Sequence, residues 1–124
     1  MSLLLDTHTF LWWLEQAPMH PEVMQQIADP TALVIVSAAS VWEIGIKRAL
    51  GKIRFDGSFA LAVRQNGFES LSINAEHAER AGELPRHHRD PFDRMLIAQA
   101  QVEKLTIVTR DKQFAAYDVA VLPC

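Results

Sequence analysis

Short apolar runs alternate with stretches of helical periodicity along the chain. Ser2–Leu5 predicts a strand and Thr7–Leu14 a helix. Pro18 and Pro21 break the chain before a second helix over Pro21–Ala28. Leu33–Val36 is a continuous apolar run, mostly β-branched, and predicts a buried strand. A helix over Ala38–Leu50 stops at Gly51, and a shorter one over Phe59–Gln65 is closed by Asn66-Gly67. Phe68–Ile73 predicts a strand and Ala75–Leu84 a helix ending before Pro85. Pro91–Lys104 carries the strongest helical pattern of the chain. Leu105–Val108 predicts a strand, Lys112–Ala116 a helical turn and Val119–Leu122 a last strand. Strands that are apolar on both faces and separated by helices predict a mainly parallel sheet covered on both sides, an α/β/α three-layer sandwich. No repeat, low-complexity tract or linker interrupts residues 1–124, so one domain is expected. In such sheets ligands bind beyond the carboxyl ends of the strands, where the strand order switches. The residues that follow each strand are therefore where chemistry is expected.

Composition narrows the class without naming a function. A chain of 124 residues can bury roughly two thirds of its unfolded surface and needs no disulfide to fold. Its 49% hydrophobic and 22% charged residues exclude a disordered tail. The longest apolar runs, Phe10–Leu14 and Ala32–Val36 among them, have five residues each, far short of the roughly 20 that cross a membrane. The opening Met-Ser-Leu-Leu-Leu-Asp has no basic segment and no long apolar segment, so no signal peptide is expected. Cys124 has no second cysteine to pair with, which fits a reducing cytoplasm. The net charge of −3 excludes a grip on nucleic acid by bulk positive charge. Local positive charge remains: Lys47, Arg48, Lys52 and Arg54 form one cluster, and Arg86, His87, His88, Arg89 and Arg94 another. Each is either a solvated face or a phosphate-binding edge.

The acids fall where a ligand would sit. The first strand runs into Asp6-Thr7, and the second into Ser37, with Glu43 inside the next helix. The strongest helix opens with Asp90-Pro91-Phe92-Asp93, and the strand after it leads into Thr109-Arg110-Asp111. Singly, each has an ordinary reading. Asp6, Asp90 and Asp111 have the positions of helix caps, Ser40 and Glu43 have capping-box spacing, and Glu43 with Lys47 is a favourable i,i+4 pair. Together they are harder to dismiss, because Glu43 and Asp93 lie among core residues and buried charges are rare unless compensated. Converging carboxylates repel and raise one another's pKa, and a hard divalent cation relieves this. An all-oxygen set drawn from Asp6, Glu43, Asp93 and Asp111, or from five acids with Asp90, suits Mg²⁺ or Mn²⁺, ions that activate water in phosphodiester cleavage. Thr7, Ser37 and Thr109 are placed to orient those carboxylates, and the basic clusters to hold a polynucleotide backbone around them.

In this order the residues resemble a known family. Leu3-Leu4-Leu5-Asp6-Thr7-His8, Ser37-x-x-Ser40-x-x-Glu43-Ile44, Asp90-Pro-Phe-Asp93-Arg-Met-Leu-Ile-Ala98-Gln-Ala100 and Ile107-Val-Thr109-Arg-Asp111-x-x-Phe114 resemble the motifs of PIN-domain ribonucleases. Their order and spacing are similar to the VapC-type toxins of bacterial toxin–antitoxin pairs, over essentially the whole chain. The resemblance implies a PIN-like fold and a Mg²⁺- or Mn²⁺-dependent endoribonuclease. It also implies a homodimer restrained by an antitoxin whose tail enters the active-site groove. Asp6, Glu43 and Asp93 match the family's three principal acidic positions, and Asp111 the more variable fourth. Asp90 belongs to a form of the motif seen in one branch and is read as a cap that also supports the site. Arg94 is assigned to the same supporting or substrate-contacting group.

Other features compete for attention. Phe10-Leu11-Trp12-Trp13-Leu14 is too continuously apolar to hide on one helix face. It reads as core, with a dimer or antitoxin groove as the alternative. His77, His87, His88 and Cys124 match no zinc-ligand spacing. His87 and His88 are expected in the loop before the strongest helix, in reach of phosphate, and His8 either does the same or packs. Asp6-Thr7-His8-Thr9 has no glycine and so no dinucleotide turn. It lacks the second acid that a phosphatase or a phosphorylated receiver carries nearby. The non-enzymatic alternative is a PIN-like module that binds nucleic acid or protein without cutting. No motif in the sequence names the RNA.

Overall fold

Leu3, Leu4 and Leu5 are completely buried, and they point alternately to opposite sides of one sheet. The structure, a computed structural model, describes residues 2–124. Leu3 and Leu5 of strand β1 (Ser2–Leu5) join Val34 and Val36 of β2 (Leu33–Ser37) and Val108 of β4 (Thr106–Thr109) in one core. Leu4, Ile35 and Ile107 from the same strands join a second core on the other face. Burying each of these side chains contributes about 1.5–3 kcal/mol.

All five strands are parallel, in the order β3-β2-β1-β4-β5, with β3 at Glu69–Leu71 and β5 at Ala120–Pro123. Helices α1 (Thr7–Leu14), α2 (Pro21–Ala28), α3 (Ala38–Ala49) and α4 (Phe59–Gln65) supply Phe10, Val23, Ile27, Ile44 and Val63 to the first core. Helix α6 (Pro91–Glu103) supplies Leu96, Ile97 and Ala98 to the second, and Leu84, just past α5 (Ala75–Glu83), closes it. The result is the expected three-layer α/β/α sandwich. Among the described residues no helix is long and apolar enough to cross a membrane.

The central strand pairs with β2 on one side and β4 on the other, with Leu5 beside both Val36 and Val108. Successive strands grow outward from β1 to β3, and the chain then returns to the opposite side of β1 for β4. The strand order therefore switches between β1 and β4, which opens a crevice at their carboxyl ends. Asp6 follows β1 directly, and a 3₁₀ turn (Lys112–Ala116) capped by Asp111 follows β4.

Candidate active site

Asp6 is only 5% exposed and uses both carboxylate oxygens. Oδ1 accepts the Thr9 amide at 2.8 Å, so Asp6 does cap α1. Oδ2 accepts the Thr109 hydroxyl at 2.6 Å, a bond across the β1–β4 junction. Thr109 Oγ1 in turn accepts the Asp111 amide at 3.0 Å. One hydroxyl thus fixes Asp6 and Asp111 relative to each other.

Glu43 is also buried, on the inner side of α3. Its Oε1 accepts the Thr7 hydroxyl at 2.7 Å, and its Oε2 lies 3.0 Å from Lys47 Nζ. Thr7 Oγ1 is also 3.1 Å from Ser40 Oγ, so Ser40 serves this network. Ser37 is the residue that caps α3, accepting the Ala39 amide at 3.0 Å. Phase and burial, rather than spacing alone, decide between the two serines.

Asp93 stands in the first turn of α6, which Asp90 caps through the amides of Phe92 and Asp93. The Asp93 carboxyl is pushed up to about 8. Burial is the main cause, followed by the negative charges of Asp90, Glu43, Asp6 and Asp111. Asp93 therefore feels the charge of the other three acids singled out in the sequence. Asp111 caps the 3₁₀ turn through Oδ1 and the Gln113 amide at 2.9 Å.

His88, which the sequence places only near phosphate, turns its ring into the acids. Its Nε2 lies 3.0 Å from Asp93 Oδ2 and 3.1 Å from Asp111 Oδ2. These three groups lie within 4.8 Å of one another, while Asp6 and Glu43 stand back on their threonine hydroxyls. The His88 amide donates to Tyr117 Oη at 2.8 Å, and Tyr117 Oη donates to the Pro85 carbonyl at 2.7 Å. His87 stays exposed, its ring edge against Tyr117. The sequence signal for His88 was weak, because its partner Tyr117 lies 29 positions away.

Other polar residues are committed to the scaffold. The Arg94 guanidinium donates to the carbonyls of Ala81, Leu84, Pro85 and His88, and so holds the α5–α6 loop. Arg48 binds the carbonyls of Phe55 and Gly57 and lies over the Phe59 ring. His77 is buried, with Nε2 3.0 Å from Glu103 Oε1, and Cys124 Sγ lies 3.4 Å from Thr9 Oγ1. Arg86 and Arg89 remain exposed on an open recess of about 600 Å³ that also borders His88. Trp12 and Trp13 are half-buried against the first core, with Arg110 over the Trp12 ring and Trp13 bonded to Asn66. The exposed tryptophan is Trp42, at 63%, edge-on to Phe92.

The donor set fits a hard cation. Asp6 and Glu43 present carboxylate oxygens oriented by threonine hydroxyls, and burial together with the neighbouring acids keeps a proton on Asp93 up to about 8.

Comparison with known proteins meets this geometry from outside. The fold matches VapBC2 from Rickettsia felis, solved bound to a DNA fragment from its promoter, with a TM-score of 0.76. That match has 16% identity and covers 100% of this chain and 99% of that one. It also matches DNA-bound VapBC from Salmonella typhimurium (TM-score 0.68, 21% identity, 99% and 98% covered). A third match is FitAcB from Neisseria gonorrhoeae (TM-score 0.64, 23% identity, 97% and 96% covered). At these identities the likeness is one of fold. Comparison with curated protein sequences finds no match. The PIN domain family profile matches residues 3–120, from β1 through the start of β5, and so takes in all four acids. With nearly its whole length matched by that profile, the chain belongs to the PIN domain family.

Proposed function

We propose that this protein is a Mg²⁺- or Mn²⁺-dependent endoribonuclease and the toxin of a toxin–antitoxin pair. PIN domains are generally nucleases, and the structural neighbours are toxin–antitoxin proteins. The observation that carries the reading is Asp93, whose carboxyl is pushed up to about 8 by burial and then by the negative charges of Asp90, Glu43, Asp6 and Asp111. Asp6, Glu43, Asp93 and Asp111 would hold the cation. When bound, it supplies the Lewis acidity that activates water and stabilises the leaving oxygen.

The chain's own residues prepare that site. Thr109 and Thr7 fix the Asp6 and Glu43 carboxylates by donating to them, without cancelling their charge. Asp93 carries a proton below about pH 8 and yields it when positive charge arrives. Arg86 and Arg89, exposed on the recess beside His88, suit the phosphates of an RNA backbone. Trp42 and Ile46 on α3 and Leu50 at its C-terminal cap form an exposed apolar row at i, i+4 and i+8, and Trp42 adjoins Glu43 and packs on Phe92. This row suits the apolar face of an antitoxin segment leading into the acids. The same reading makes the protein a cytoplasmic homodimer.

The test is cleavage of a mixed RNA panel by protein freed of antitoxin, with Mg²⁺, Mn²⁺ or EDTA, beside Asp93→Asn. Cutting that requires the cation and is lost in the variant is the expected result. A folded, cation-loaded wild type that cuts nothing in the panel shifts the reading to a PIN-like binding module.

A further inference from the structure

We propose that His88 is a positioning residue of this site, holding the Asp93 and Asp111 carboxylates toward a common cation as a hydrogen-bond donor and not as a ligand. The inference rests on the metal-site reading above. By distance alone the ring looks like a ligand, because its Nε2 and an oxygen of each acid lie within 4.8 Å of one another. A nitrogen among carboxylate oxygens would tilt the site towards softer transition ions.

The other ring nitrogen argues otherwise. Nδ1 accepts the backbone amide of Asp90 at 3.2 Å. A backbone amide is only ever a donor, so Nδ1 presents its lone pair there and carries no proton. The ring's single proton therefore sits on Nε2, which leaves Nε2 no lone pair for a metal. Ligation would move the proton to Nδ1 and set it against the Asp90 N–H, two donors facing each other. Turning the ring is also resisted. His88 is 8% exposed, its amide is held by Tyr117, its carbonyl lies 3.4 Å from Arg94, and its ring stands edge-on to Phe114 at 5.8 Å.

The Nε2 proton is thus directed to Asp111 Oδ2, with Asp93 Oδ2 3.0 Å from the same nitrogen. It occupies one oxygen of Asp111 and leaves the second to other partners. A pattern follows across the site. Thr109 donates to Asp6, Thr7 to Glu43 and His88 to Asp111, while Asp93 rests against the same imidazole nitrogen. Each of the three bonded acids is oriented by a donor from a neighbouring element. His88 also ties α6 to the end of β4, two elements the acids depend on.

Mn²⁺ titration followed by electron paramagnetic resonance tests this on the whole chain. His88→Ala is expected to weaken Mn²⁺ binding roughly ten- to a hundredfold, as loss of an orienting partner does. His88→Gln, whose amide nitrogen can donate from a similar reach, is expected to recover most of that loss. Pulsed resonance of Mn²⁺ on wild type is expected to show no directly coordinated nitrogen, a readout that holds even where the alanine variant fails to fold. A bound-nitrogen coupling would overturn the proposal and make His88 a ligand. Unchanged affinity in a folded His88→Ala would also overturn it while leaving the metal site intact. A wild type that binds no Mn²⁺ overturns both the metal site and this role.

Discussion

Asp93 illustrates how a single residue can oppose folding for the sake of a site. In the folded chain its carboxyl holds a proton to about 8, against an ordinary value of 3.8. Between those limits the folded state binds more protons than the unfolded one. The stability this group lends is whole below 3.8 and is lost as pH rises through about 8. Asparagine does not ionise. In a chelating buffer, Asp93→Asn is therefore expected to gain melting temperature over wild type as pH rises from 5 to 8, by a few kcal/mol in stability. With Mn²⁺ added the order should reverse, since only the wild type gains a ligand. An Asp93→Asn curve parallel to wild type at every pH would refute the crowding of charge. The positions of the acids were legible because Asp6 and Asp111 come just after strands, Asp93 opens a helix and Glu43 stands among apolar residues inside one. His88 was not, because its role depends on which way a loop ring turns. Arg94 and Tyr117, distant in sequence, set that direction.

Element boundaries moved where caps intervened. Helix α6 stops at Glu103, because Lys104 takes the left-handed conformation at φ 58° and the Leu105 amide turns back to the Ala100 carbonyl at 2.9 Å. That consumes Leu105, so β4 begins at Thr106 instead. Similarly, α5 ends at Glu83 because Leu84 is extended ahead of Pro85. The third strand shrinks to Glu69–Leu71, since Phe68 turns into the first core. The centres of all these elements were legible in apolar periodicity; their ends depended on single hydrogen bonds that periodicity does not encode. A left-handed lysine is costly where glycine is not. Lys104→Gly is therefore expected to stabilise the protein by about 1 kcal/mol in urea unfolding. A loss of stability would mean that the lysine side chain matters more than its backbone.

At the scale of the whole molecule, the exposed row on α3 is separate from the cores that hold the fold together. Trp42→Glu is expected to leave unfolding free energy within about 0.5 kcal/mol of wild type and to abolish co-purification with the antitoxin. Retained binding would place the antitoxin elsewhere. The bond from Thr109 to Asp6 joins residues 103 positions apart, and it lies beside the pairing of Leu5 with Val108. On the ribosome β1 emerges long before β4, so that strand must wait about a hundred residues before its second neighbour exists. A nascent chain that ends before Thr106 has neither the hydroxyl that sets Asp6 nor the carboxylate of Asp111. Synthesis at roughly 5–20 residues per second then acts as a timer: the carboxylate site cannot mature on the ribosome until the 103 positions from Asp6 to Thr109 have been made. A chain truncated after Lys104 should accordingly bind no Mn²⁺ in the same resonance titration, and binding by that fragment would show that the site matures earlier.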